Sequence, residues 1–166
     1  MARSRFVFLL LATTIALDQF TKMLARDYFR SSPPVHFLGD IVTLLHSENP
    51  GAFLSLGAGM GESMRFWVFT VGVALFLLGA VVYLLRSKTL DRGSLIALSL
   101  MIGGGIGNLV DRALQGSVTD FMHLGLGPFQ TGVFNVADMA ISGGTLFLLF
   151  SSFKKNNTLN QPRSTS

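Results

Sequence analysis

Four long apolar runs, separated by short polar stretches, dominate the pattern of this chain. The first extends from about Phe6 to Leu24 and is interrupted by Asp18 and Lys22. The second, Phe66 to Leu85, contains no charge. The third, Ser94 to Val110, carries Gly103-Gly104-Gly105, and the fourth, Val133 to Phe150, carries Asp138. A helix needs roughly 20 mostly apolar residues to cross a bilayer. The pattern therefore predicts a mainly α, polytopic membrane protein with four transmembrane helices, organised as one domain over 1–166. Between the first two runs, Pro33-Pro34 ends any helix carried over. His36 to Leu45 then reads as a strand or hairpin turning at Gly39-Asp40. Asn49-Pro50-Gly51 reads as a turn, and Ala52 to Leu56 as a second short strand. This region, about 33–57, predicts a small outer-face β-sheet resting on the helices, because so small a sheet cannot stand alone. Gly57 to Gly61 is loose, and Glu62 to Arg65 starts the second helix. Arg112 to Gly132 reads as a surface loop carrying Asp120 and the flexible stretch Gly125-Leu126-Gly127-Pro128. The polar tail 156–166 reads as disordered.

Composition narrows the function. Only 13% of residues are charged, against about 25% in a soluble domain. The absence of cysteine removes disulfides, thiolate nucleophiles and Cys-based metal sites, and leaves no residue to carry a lipoprotein's lipid. The net charge of +4 does not point to nucleic acid, since no Lys/Arg stripe is interleaved with aromatics. The basic residues are instead sorted by membrane side. With both termini inside, Arg3, Arg5, Arg86, Lys88, Arg92, Lys154, Lys155 and Arg163 are cytoplasmic. Lys22, Arg26, Arg30, Arg65 and Arg112 fall at the outer edge. The short loop Arg86 to Arg92 alone holds three cations, and lysine and arginine mark the cytoplasmic side. Residues 1–24 also resemble a signal peptide, but no small-x-small cleavage site follows and the apolar pattern resumes after Asp18, so they read as a retained span.

The acidic residues then converge. Every one except Asp91 falls at the outer end of the bundle. Asp18, Asp111 and Asp138 lie in or against spans, where a carboxylate is costly to ionise and usually faces a wet cavity or a functional site. Asp18 and Lys22 are spaced i, i+4, the order that favours an ion pair. Asn108 and Asp111 share a face at i, i+3, and Arg112 follows Asn108 at i, i+4. Asn135 and Asp138 repeat the i, i+3 spacing about 7–8 Å into the fourth span. The glycines at 103–105, 107 and 143–144 suit close helix packing in lipid. Asp120 and Asp138 are the candidate catalytic pair. Two carboxylates a few Å apart share a proton, so that one serves as base and the other as acid and the pair titrates as a unit. Such chemistry needs neither metal nor cofactor. Spacing alone leaves a structural ion-pair role open for these residues. Asp111 with Arg112 reads as scaffolding, the three histidines as loop residues without metal-ligand spacing, and Glu48 and Glu62 as solvated. Trp67 and Tyr83 read as interfacial aromatics.

Three strings carry a resemblance. Gly103-Gly104-Gly105-Ile106-Gly107-Asn108-Leu109-Val110-Asp111-Arg112 is followed by Val118-Thr119-Asp120-Phe121 and by Phe134-Asn135-Val136-Ala137-Asp138. Together they resemble the signature of the lipoprotein signal peptidases (signal peptidase II). Asp18-Gln19-Phe20-Thr21-Lys22 resembles that family's first-helix motif, and Asn49-Pro50-Gly51-Ala52 its outer-loop Asn-x-Gly-Ala motif. The resemblance covers about residues 6–150 in order. It implies an aspartic endopeptidase of the bacterial inner membrane, with both termini cytoplasmic and the site near the outer face. The implied substrates are prolipoproteins bearing a diacylglyceryl group on the lipobox cysteine, cut just before that cysteine. Asp120 and Asp138 match the family's catalytic pair. Asn49, Gly51, Asn108, Arg112 and Asn135 match substrate-binding or supporting positions, and Asp18 and Lys22 a supporting pair. Membrane lipids and globomycin-type cyclic peptide inhibitors are the other implied partners. Phe53-Leu54 departs from the family's usual small residue followed by an aromatic.

Two rival functions fit parts of the pattern. A proton- or ion-coupled carrier relaying through Asp18 and Asp138 should place polar groups at the midplane on broken helices, whereas here they stay at the outer edge. An assembly subunit would use the glycine faces without any chemistry.

Overall fold

The computed structural model describes residues 2–51 and 59–159. Four helices are long and apolar enough to cross a membrane: α1 (Ala2–Phe29), α2 (Glu62–Arg86), α3 (Arg92–Gln115) and α4 (Val136–Leu159). Their lipid-facing sides carry large exposed apolar residues such as Phe8, Leu9, Leu75 and Phe76. At their C-terminal ends the helices run beyond the apolar stretches, α1 to Phe29, α3 to Gln115 and α4 to Leu159. In α2 the ladder widens to π geometry over Phe66–Gly72.

The helix ends are specified locally. Asp91 caps α3 by accepting the Ser94 N–H at 2.9 Å, and its carboxyl is held below the usual carboxylate range by that bond and the one from the Ser94 hydroxyl. Gly116, at φ +76°, closes α3 in the left-handed conformation that glycine adopts without strain. The fourth helix starts three residues later than the apolar run suggests. Val133 and Phe134 precede the helix, and the Phe134 backbone pairs with Met122 of a strand. Asp138 therefore lies in the first turn of α4, not a turn and a half below its start. The same helix continues through Leu159, so Asn156–Leu159 belong to α4. Residues 160–166 of the expected tail lie outside the described residues.

At one end of the bundle is a four-stranded antiparallel sheet in the order β1 (Val35–Phe37), β2 (Val42–Asn49), β3 (Val118–Leu126), β4 (Phe129–Gln130). The hairpin between β1 and β2 turns at Gly39-Asp40 as the sequence predicts, with Leu38, Gly39 and Asp40 all at positive φ. The expected second strand at Ala52 to Leu56, with Phe53-Leu54, lies outside the described residues. The stretch expected to be a loop, 112–132, instead completes α3 and then forms β3 and β4. His36, His46 and His123 are accordingly on strands, not in loops.

The two ends of the bundle differ in kind. Between α1, α2 and α3, far from the sheet, Val7, Leu11, Leu77, Leu84, Leu95 and Ile102 form an apolar core. Near the sheet many buried residues are polar, among them Asp18, Lys22, Asn108, Asp111, Thr119, Asp120 and Asn135. Glycine lets the helices close around them. A Cβ on Gly104 would lie 2.5 Å from the Ala137 carbonyl oxygen, and one on Gly107 would lie 2.5 Å from Asp18 Oδ2.

Candidate active site

The site is built where β3 and the start of α4 meet α3. Asn135 precedes α4 and accepts the Asp138 N–H on its Oδ1 at 2.9 Å. Asp138 Oδ2 in return accepts the Asn135 N–H at 3.2 Å. This reciprocal pair is a capping box, and it fixes the Asp138 carboxylate at the positive end of the helix dipole. Asp138 Oδ1 accepts Asn108 Nδ2 at 2.9 Å, which joins α4 to α3.

Asp120 comes from β3. Its Oδ1 accepts Asn135 Nδ2 at 2.6 Å and its Oδ2 accepts Asn49 Nδ2 at 3.2 Å. A register shift in β2 between Leu44 and Ser47 sets Ser47 opposite Asp120, and such bulges re-aim side chains beside sites. Asn49 Oδ1 also accepts the Gly51 N–H at 3.1 Å. Arg112 completes this edge. Its Nη2 donates to the Gly51 carbonyl at 2.8 Å, while its buried Nε–H has no partner among the described residues. Asp120 is only 3% exposed. Burial, reinforced by the charge of Asp138, raises its carboxyl from 3.8 to about 6, against the lowering influence of the Asn49 and Asn135 hydrogen bonds.

Asp120 and Asp138 open onto one cavity of about 1140 Å³, shared with Asn49, Asn108 and Arg112. The cavity continues along the helices past Val73 of α2, Gly105 of α3 and Thr145 of α4. It thus has a polar mouth and an apolar length at the depth of the helices.

Behind it lies a second polar cluster. Lys22 Nζ is 2.8 Å from Asp18 Oδ2 and 3.2 Å from Asp111 Oδ2, and donates to Asn108 Oδ1 at 2.7 Å. Asp18 Oδ1 accepts the Ala137 N–H at 2.9 Å, so α1 holds the first turn of α4. Asp111 Oδ2 accepts the Thr119 N–H at 3.0 Å, which ties β3 to α3.

All nine site residues singled out from the sequence fall in these two connected clusters. Sequence reasoning missed Gln19, whose Nε2 bridges Asp18 Oδ2, the Gly107 carbonyl and Asp111 Oδ1. It also missed Thr119 and Arg26, paired at 2.9 Å. Gln19 and Thr119 stood inside the motif strings, and that was their only signal. Glu48 is exposed, as expected, and it also lines the cavity and accepts the hydroxyls of Ser117 at 2.6 Å and Thr119 at 3.3 Å.

The fold defines a polytopic membrane protein with two buried or partly buried aspartates lining one cavity. Comparison with known proteins narrows the class. Residues 10–154 match the family model described as Signal peptidase (SPase) II, and the chain belongs to that family. It is 40% identical over 153 residues to the lipoprotein signal peptidase of Brevibacillus brevis, covering 90% of this chain and 97% of that one. It is 32% identical over 151 residues to that of Geobacillus thermodenitrificans, covering 91% of each. Two solved structures of a bacterial membrane enzyme share the fold. One has a TM-score of 0.78 at 20% identity, covering 97% of this chain and 94% of that one. The other has a TM-score of 0.76 at 23% identity, covering 90% and 93%. The chain is a peptidase and a multi-pass bacterial membrane protein.

Proposed function

We propose that this protein removes the signal peptide from diacylglyceryl-modified prolipoproteins by aspartic catalysis, cutting before the lipobox cysteine. The observation that carries this reading is the shared cavity of Asp120 and Asp138, polar at its mouth and apolar along the helices. That shape suits a peptide bond held beside an apolar signal sequence and acyl chains. The charge distribution supports cytoplasmic termini and a site at the outer face.

The chemistry follows from the pair. The ionised carboxylate takes a proton from water as the water oxygen bonds to the scissile carbonyl carbon. The protonated carboxyl gives its proton to the carbonyl oxygen, forming a gem-diol. Breakdown returns a proton to the leaving amine as the C–N bond breaks. Asn108 and Asn135 hold the two carboxyls, and the free Nε–H of Arg112 is available to a substrate carbonyl. A globomycin-type cyclic peptide would compete for this cleft.

The test is mass spectrometry of products from the purified protein, given a prolipoprotein with and without its diacylglyceryl group. The expected product begins at the lipid-modified cysteine, with the unmodified precursor left intact. Cleavage elsewhere, or equal cleavage of both precursors, contradicts the reading.

A further inference from the structure

Lys22 is wholly buried, and each of its three N–H groups meets an oxygen: on Asp18, on Asp111 and on the Asn108 side chain. An ammonium group has donors and no acceptor. It can therefore face only the oxygen of the Asn108 amide, which turns the amide N–H₂ toward Asp138 Oδ1. The Asp138 N–H does the same for Asn135: it can only donate, so Asn135 Oδ1 faces it and Nδ2 faces Asp120 Oδ1.

Each carboxyl of the pair accepts two hydrogen bonds, so donor number does not distinguish them. Their sources do. Asp120, on a strand, is held by two neutral side-chain amides, from Asn49 and Asn135. Asp138 lies in the first turn of α4, where the helix dipole favours negative charge. Its other donor is an amide whose oxygen is polarised by the Lys22 ammonium. We propose that Lys22 is a positioning residue that acts through Asn108, making Asp138 the ionised member of the pair and Asp120 the proton-bearing member.

This inference rests on the aspartic reading above. Burial and the charge of Asp138 raise the Asp120 carboxyl, and the Lys22 charge acts on it directly in the lowering direction, so the distinction between the two carboxyls rests on their hydrogen-bond partners. The other charged groups around the pair are Asp18 and Arg26 from α1, Asp111 and Arg112 from α3, and Glu48 from β2. Asp18, Asp111 and Arg26 are tied to Lys22, Thr119 or one another, and Glu48 to Ser117 and Thr119. The Arg112 charge faces both carboxyls, but its hydrogen bonds go to the backbone carbonyls of Gly51 and Asn108; of the cations, only Lys22 donates to a side-chain amide that in turn donates to one of the two carboxyls.

The acid limb of the pH–rate profile reports ionisation of the base. Removing the Lys22 charge should move that limb upward by about one pH unit, with kcat falling about tenfold on its acid side and KM little changed. Lys22→Met is the direct variant. Asp18→Asn with Lys22→Gln removes one charge of each sign and leaves Asp111 to Arg26, 3.7 Å away. Asn108→Ala breaks the relay in the middle while keeping both ion pairs of Lys22. All three are measured as the full-length protein on a diacylglyceryl prolipoprotein, with melting temperature as the check on folding. A limb at the wild-type pH in any folded member of the set overturns the inference. Its failure is separable from failure of the aspartic reading. If Asp120→Asn or Asp138→Asn still cleaves, the carboxylate pair itself is wrong. If both are inactive while the limb stays in place, only the role of Lys22 falls.

Discussion

Two carboxylate clusters lie side by side in this protein and differ in what neutralises them. Asp18 and Asp111 share the Lys22 ammonium, and Arg26 lies 3.7 Å from Asp111. They join α1, α3, β3 and the start of α4, and they do not line the large cavity. Asp120 and Asp138 have amide donors, no ion pair among the described residues, and a cavity in front of them. Charge compensated by charge makes a scaffold. Charge held only by neutral dipoles beside open space stays able to gain and lose a proton. The first cluster fixes backbone and the second is left chemically available.

The largest break in this comparison comes from the scaffold. Asp18→Ala leaves Lys22 underpaired and frees the Ala137 N–H. Breaking a buried ion pair in this way costs about 3–5 kcal/mol, so the variant should lose most of its folded yield in detergent, as read by thermal melting. Gly104→Ala presses a methyl group into the Ala137 carbonyl, and such overpacking costs about 1–3 kcal/mol, read by the same melt. Asp120→Asn should act in the opposite direction. The folded protein holds the Asp120 proton up to about 6, against 3.8 for the free group. Stability therefore falls as pH rises between those values, and the deficit persists at neutral pH. The Asn variant should melt at or above the wild-type temperature at neutral pH, and the gap should close on acidification. The smallest effect belongs to Asp91→Ala, which removes an exposed cap far from the site. A slight drop in melting temperature with unchanged cleavage is expected.

What the sequence disclosed follows the same physics. The four spans were legible because lipid demands an unbroken apolar run, and Asp18 with Lys22 because i, i+4 spacing places both on one face. β3 was not legible as a strand. Val118, Thr119, Asp120 and Phe121 are all buried, so the alternation that betrays a half-exposed strand is missing. The start of α4 was blurred because the apolar run continues back through Val133 and Phe134, which lie outside the helix, with the Phe134 backbone paired to Met122. Asp120 stood out beside Asp138 at the outer end of the bundle, but its partners Asn49 and Asn135 did not, because the strand that brings them together was hidden. The placement of Glu48 was hidden for the same reason, its partners Ser117 and Thr119 lying on or beside a strand the pattern did not reveal.

The most direct test of the central claim is cleavage of a diacylglyceryl prolipoprotein by purified Asp120→Asn and Asp138→Asn, with each variant's melting curve recorded alongside. The account predicts that both remain folded and that each loses cleavage by about a thousandfold or more. A folded variant of either kind that cleaves at close to the wild-type rate would contradict it.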